Sequence, residues 1–207
     1  MIDIMNAVIK RGDFIYNLCK TEQSSQRQRD IEKVLLNLML KKHYDEISVS
    51  EICLVADIPR KTFYRYFDGK EGVKQALLYH AMSDFGTFQD SRKKKKERTL
   101  HEEFEELFAF WKSKRELLEA FDKSGLIGIL IESATVYAQN EFNGVQIYLS
   151  DSSINEKAIS YQFAISGLLA MTINWYRSGF AETIPNMART ATRIITKPLF
   201  ENLSRTE

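Results

Sequence analysis

Residues 48–73 read SVSEICLVADIPRKTFYRYFDGKEGV, and this stretch decides the fold. Ser48-Val49-Ser50-Glu51 is a capping box: the Ser48 hydroxyl and the Glu51 carboxylate can each satisfy a backbone N–H at a helix start. It opens a helix of about eight residues whose Val49, Ile52, Cys53 and Ala56 point inward. Asp57-Ile58 makes a tight turn, since Asp tolerates the left-handed conformation better than most residues. Pro59 fits the first position of the next helix, where its missing N–H costs nothing. That helix, over 59–67, is also short. Asp68-Gly69 ends it, and a long helix follows over 70–88. Two short helices joined by a tight turn, the first capped and the second polar, form a helix-turn-helix pattern.

The helical phase of the second short helix sorts its side chains. Phe63 and Phe67 lie four apart and face the core. Arg60, Lys61, Thr62, Tyr64, Arg65 and Tyr66 remain outside. Such a face suits the major groove of DNA. Arg donates bidentately to guanine, while Lys, Thr and Tyr hold phosphates. Base contacts concentrate on the first turn of a recognition helix. Lys70, at the start of the next helix, sits where its ammonium and the open backbone N–H groups both suit a phosphate.

On these residues the chain resembles the TetR-type transcriptional regulators. The matching stretch is Ala56-Asp57-Ile58-Pro59, then Thr62-Phe63-Tyr64-Arg65-Tyr66-Phe67, then Lys70. The strong match covers about residues 28–80. Asp57 stands where the family usually has Gly, Cys53 where a small Ala is common, and Gly72-Val73 where a Leu is frequent. The resemblance implies a role for each residue. Ser48 and Ser50 lie close to DNA, and Arg60 and Lys61 reach base edges. Thr62, Tyr64, Tyr66 and Lys70 position the backbone, and Arg65 suits either task.

Upstream, the apolar series Ile31, Val34, Leu35, Leu38 and Met39 predicts a helix over 26–42 capped by Ser25. Residues 1–25 are expected to be an accessory extension. Downstream, helices are expected over 100–121, 125–140 and 155–178, the last ending at Gly179. A final helix over 185–202 is opened by Pro185 and kinked or ended early by Pro198. A short element over 142–149 and a solvated basic run over 92–98 complete the chain. The fold class is therefore all-α. A helix-turn-helix domain over 26–72 precedes a helical ligand-sensing and dimerisation domain over 73–207. With 3 Pro and 9 Gly in 207 residues, a hairpin-rich sandwich or barrel is excluded.

The aromatic residues Phe104, Phe108, Trp111, Phe121 and Tyr137 are candidates to line an effector pocket, with ordinary core packing as the alternative. Residues 163–185 are similar to a C-terminal class of the same regulators that pairs its last two helices with those of a second subunit. Small residues around Gly167 permit close helix approach. Leu168, Met171, Trp175 and Ile194 supply apolar surface beyond what one subunit's face needs. A two-fold homodimer is expected, with its recognition helices at least about 34–36 Å apart on a palindromic operator.

Other function classes find little support. His43, His80 and His101 show no metal-ligand spacing, and no nucleophile elbow, Walker loop or dinucleotide fingerprint is present. No catalytic residue, metal or cofactor is expected. The start of the chain does not read as a signal peptide, and no apolar run approaches the roughly 20 residues of a membrane span. A cytoplasmic protein with no membrane partner is expected. The formal net charge of +1 conceals two opposed halves: residues 1–98 carry +5 and residues 99–207 carry −4. The expected function is a homodimeric DNA-binding regulator, a repressor of neighbouring genes tuned by an unknown small-molecule effector. Two alternatives stay open. One is a regulator controlled by a protein partner. The other is a helical ligand-binding protein or enzyme with a vestigial helix-turn-helix.

Overall fold

The computed structural model of the chain describes residues 21–92, 99–141 and 154–197. They form nine α-helices and no strand: α1 (Glu22–Met39), α2 (Val49–Val55), α3 (Arg60–Tyr64), α4 (Lys70–Arg92), α5 (Leu100–Ser113), α6 (Arg115–Lys123), α7 (Ile127–Glu141), α8 (Ile154–Arg177) and α9 (Ile184–Thr196). A 3₁₀ turn, Tyr44–Glu46, lies between α1 and α2. The all-α class is as expected. The element over 142–149, the basic run from 93 onward, Pro198 and residues 1–20 lie outside the described residues.

The chain divides into two compact units. The first comprises residues 1–84 and 116–151, and its described part holds the three-helix segment together with α6 and α7. Ile31, Leu35 and Met39 of α1, Ile52 of α2, Phe63 of α3 and Phe67 just after it are fully buried there. The second comprises residues 85–115 and 152–207. In it α5 packs along α9, with α8 completing a core of Phe104, Phe108, Leu168, Trp175, Met187, Ala188 and Ala191.

Helix boundaries follow local chemistry, with three departures from expectation. α1 begins at Glu22, because the Thr21 hydroxyl accepts from Ser24 N at 3.2 Å and caps the helix. Ser25 is inside the helix and is not its cap. The helix expected over 100–121 is two helices, α5 and α6, broken at Lys114. No Gly or Pro marks the break. The Ser113 hydroxyl instead donates to the Phe110 carbonyl at 2.6 Å and competes with the helical ladder at its last turn. Pro59 is the N-cap of α3, with extended backbone (ψ 146°), and α3 stops at Tyr64 instead of reaching Phe67.

Helix ends are closed by left-handed residues. α8 ends with Gly179 at φ 71°, and Phe180 N donates back to Trp175 O at 2.8 Å. This six-to-one bond is the Schellman arrangement. The Trp175 indole then donates to Glu182 O at 2.9 Å and ties the turn into α9.

Candidate nucleic-acid interface

The interface is built by the turn between α2 and α3. Asp57 has φ 50°, Asp57 N donates to Leu54 O, and Ile58 N donates to Cys53 O at 3.0 Å. This is a Schellman closure made with Asp in place of Gly. It reverses the chain within two residues and leaves α3 leaning on α2.

The expected capping box is half formed. Ser48 Oγ accepts from Glu51 N at 3.2 Å. The Glu51 carboxylate does not reach back, because the Lys42 ammonium holds it at 2.5 Å. A cation on the incoming loop outcompetes a neutral backbone N–H for the carboxylate.

Six of the nine sequence-predicted residues are solvent-exposed. They are Ser48, Ser50, Arg60, Lys61, Tyr64 (50%) and Arg65. Thr62 is half-buried. Arg60 reaches across to α2, where its Nη2 donates to Ser50 Oγ at 2.7 Å, so the two helices present one joined polar surface. Burial pushes the Cys53 thiol up, and the Arg60 charge works against that rise.

Two residues take other positions than expected. Tyr66 is not outside: it is 6% exposed, packed beside Phe67 with ring centroids 6.4 Å apart. The reason is that α3 ends before it, so helical phase no longer applies and the turn folds Tyr66 inward. Arg65 covers it, with the guanidinium 5.1 Å from the ring and Nη2 donating to the hydroxyl at 3.2 Å. Lys70 is half-buried, and its ammonium donates to the carbonyls of Tyr44 (3.0 Å) and Asp45 (3.2 Å). It also lies over the Tyr44 ring at 4.5 Å. Lys70 thus joins α4 to the loop before α2.

Sequence reasoning missed Tyr44, the hub of that junction. The residue is buried, and its hydroxyl donates to Glu71 Oε1 at 2.5 Å. Its backbone N–H donates to the buried Ser124 hydroxyl at 3.1 Å. The Lys123 ammonium, beside Ser124, donates to Leu40 O at the end of α1. None of these partners is near Tyr44 in sequence, so no local spacing announces them.

The ligand and dimer candidates are placed as follows. Phe104 and Phe108 belong to the core of the second unit, where the Phe108 and Trp175 rings meet edge to face at 5.7 Å. Trp111 is buried in the same unit against Phe110. Phe121, fully buried, and Tyr137, half-buried, belong to the first unit. Leu168 and Trp175, expected at a subunit interface, are instead buried within the chain, because α5 and α9 cover that side of α8. Gly167 is exposed, and Met171 and Ile194 are half-buried. The open apolar side of α8 carries Ile159 and Phe163 (71% exposed). No cluster of His, Cys, Asp or Glu among the described residues is arranged to hold a metal ion. No helix among them is long and apolar enough to cross a membrane.

No protein-family model matches the chain, and no curated protein matches it in sequence. Solved structures do match. The fatty acid degradation regulator FadR from Bacillus halodurans superposes with a TM-score of 0.60 at 14% identity, over 88% of this chain and 98% of that one. A TetR transcriptional regulator from Streptococcus agalactiae 2603V gives 0.60 at 15% identity, over 84% and 96%. A putative TetR-family regulator from Syntrophomonas wolfei gives 0.60 at 18% identity, over 86% and 99%. At these identities the likeness is one of fold, and the fold of this chain is that of the TetR-type transcriptional regulators.

Proposed function

We propose that the chain is a DNA-binding transcriptional regulator. It acts as a homodimer on a palindromic operator and represses neighbouring genes until an effector acts on its C-terminal helices. The observation that carries this reading is the exposed, joined surface of Ser50, Arg60, Lys61, Tyr64 and Arg65 around a Schellman-closed turn. A helix-turn-helix with solvent-exposed basic side chains on and beside its second helix is chemically matched to guanine edges and phosphates. The solved neighbours are themselves transcriptional regulators, which favours the same class here.

Dimerisation is supported by the exposed side of α8. Ile159, Phe163 and Gly167 recur every four residues on one face, and Ile195 of α9 is also open. The small residue that follows two large apolar ones on this face suits a close helix crossing. Release by an effector would be a population shift toward dimers whose recognition helices are mis-spaced.

A second reading is favoured by one observation. Phe104, Phe108 and Trp111 are committed to closed packing, so an aromatic pocket on α5 is not preformed by them. That arrangement suits control by a protein partner instead of a small molecule.

Titration of the purified protein against the DNA upstream of its own gene tests the proposal. Salt-dependent, sequence-selective binding is expected. Arg60→Ala should lose about 1–3 kcal/mol of discrimination at one base pair, while Lys61→Ala should weaken binding in a salt-dependent way. A protein that shows no salt-dependent affinity for any duplex rules the proposal out.

A further inference from the structure

Arg60 opens α3, yet its side chain does not project freely into solvent. Its Nη2 donates to the Ser50 hydroxyl at 2.7 Å. Ser50 is the second residue of α2 and is not the cap of that helix, a task done by Ser48. The Arg60 charge also acts on Cys53, one helical turn along α2 from Ser50. The guanidinium is thus held against the first turn of α2 by one hydroxyl.

We infer that Ser50 is a positioning residue for base readout, fixing the Arg60 guanidinium so that its remaining donors meet the N7 and O6 acceptors of a guanine. The inference rests on the DNA-binding reading above. A guanidinium carries five N–H donors, and the bond to Ser50 takes one. A bidentate contact to guanine takes two more, so both can be made at once. An unheld arginine has several freely rotating bonds to order on binding. A hydroxyl that orders them beforehand removes that cost from the specific complex. Ser50 itself then needs no contact with a base or a phosphate to influence which sequence is bound.

The experiment selects bound duplexes from a random-sequence DNA pool and sequences them, for the wild type, Ser50→Ala, Ser50→Thr and Arg60→Ala. The best sequence and its G·C-to-A·T variant at the affected position are then titrated at two salt concentrations. Ser50→Ala is expected to lose preference for guanine at the same position as Arg60→Ala, by about five- to tenfold, at the low end of what a bidentate pair contributes. Its salt slope should match the wild type, because no phosphate contact is removed. Ser50→Thr, which keeps the hydroxyl, should restore the preference. Alanine is a good helix former, so α2 is retained. A Ser50→Ala protein that keeps its guanine preference overturns the inference. So does one that loses affinity for all duplexes alike with a shallower salt slope, which would mark Ser50 as a phosphate contact. If the wild type enriches no sequence at all, the DNA-reading proposal itself has failed, and that outcome is distinct from either of these.

Discussion

Single residues set the sharpest features of the helix-turn-helix. Asp57 holds a left-handed backbone at φ 50°, a conformation that a side chain resists and Gly adopts freely. Asp57→Gly is therefore expected to stabilise the fold by up to about 1 kcal/mol, with the gain reduced by the greater freedom of Gly in the unfolded chain. Urea unfolding of the two proteins measures it, and a destabilised variant would mean that the Asp side chain contributes more than the backbone costs. The turn itself was legible, because Ala56-Asp57-Ile58-Pro59 combines a helix stop with a residue that tolerates positive φ. The burial of Tyr66 was not. Helical phase was carried past Tyr64, where the helix ends, and nothing local marks that end.

Pairs of elements are held together by polar ties that the sequence does not announce. The His80 ring on α4 meets the buried Glu32 carboxylate on α1, with Nδ1 at 2.8 and 2.9 Å from its two oxygens. One turn further along α4, Asp84 accepts from Arg29 at 3.2 Å. Removing His80 leaves a carboxylate buried without its ring partner, so His80→Ala should cost about 3 kcal/mol in denaturant unfolding. Replacing both residues, as Glu32→Leu with His80→Leu, should cost less than the single change, since neither charge nor lone pair is then stranded. Equal costs for the two proteins would place the stabilisation in packing alone. At the other end of α4, the Tyr44 junction predicts opposed pH effects. Burial, followed by the Glu71 hydrogen bond and the Glu71 and Asp45 charges, raises the Tyr44 hydroxyl far above its ordinary value. Its contribution to stability is thus complete below about pH 10, where the unfolded tyrosine begins to ionise, and is lost as pH rises beyond. Burial pushes the Glu71 carboxyl up. The Lys74 and Tyr44 hydrogen bonds and the Lys74 and Lys70 charges outweigh that push and hold it below the usual range. Its contribution is complete above about pH 4.3 and is lost as pH falls through the lowered folded value. Tyr44→Phe should flatten the alkaline arm of a stability profile and weaken the acid arm. An unchanged alkaline arm would show that Tyr44 ionises equally in both states.

At the scale of the whole molecule, the open face of α8 is the element that the core of its own unit does not use. Phe163 is 71% exposed, and with Ile159 it forms an apolar stripe that a lone chain leaves in water. For the homodimer proposed above, Phe163→Lys should leave the chain folded and shift sedimentation from dimer to monomer. It should also weaken binding to a palindromic duplex far more than to a half-site. A variant that remains dimeric would move the interface elsewhere. Which side of α8 stays open was only partly legible. Leu168 and Trp175 are apolar residues on a helix that is apolar on several sides, and composition cannot say which side meets the chain's own α5 and α9 and which meets a partner.

Local sequence was enough for the local events: the bounds of α2, α7 and α8 to within two residues, the reversal at residues 56–59, the inward placement of Phe63 and Phe67, and the polar face of α3. Each depends on capping, backbone propensity or side-chain period, which act over a few neighbouring residues. Tertiary structure alone decided the rest. It placed Tyr44 between Glu71, Lys70 and Ser124, drew Glu51 to Lys42, joined Arg60 to Ser50 and buried Trp175 against Phe108. These contacts join residues from nine to about eighty positions apart. Their partners are fixed by how helices pack, and that geometry is not encoded in any window of the chain.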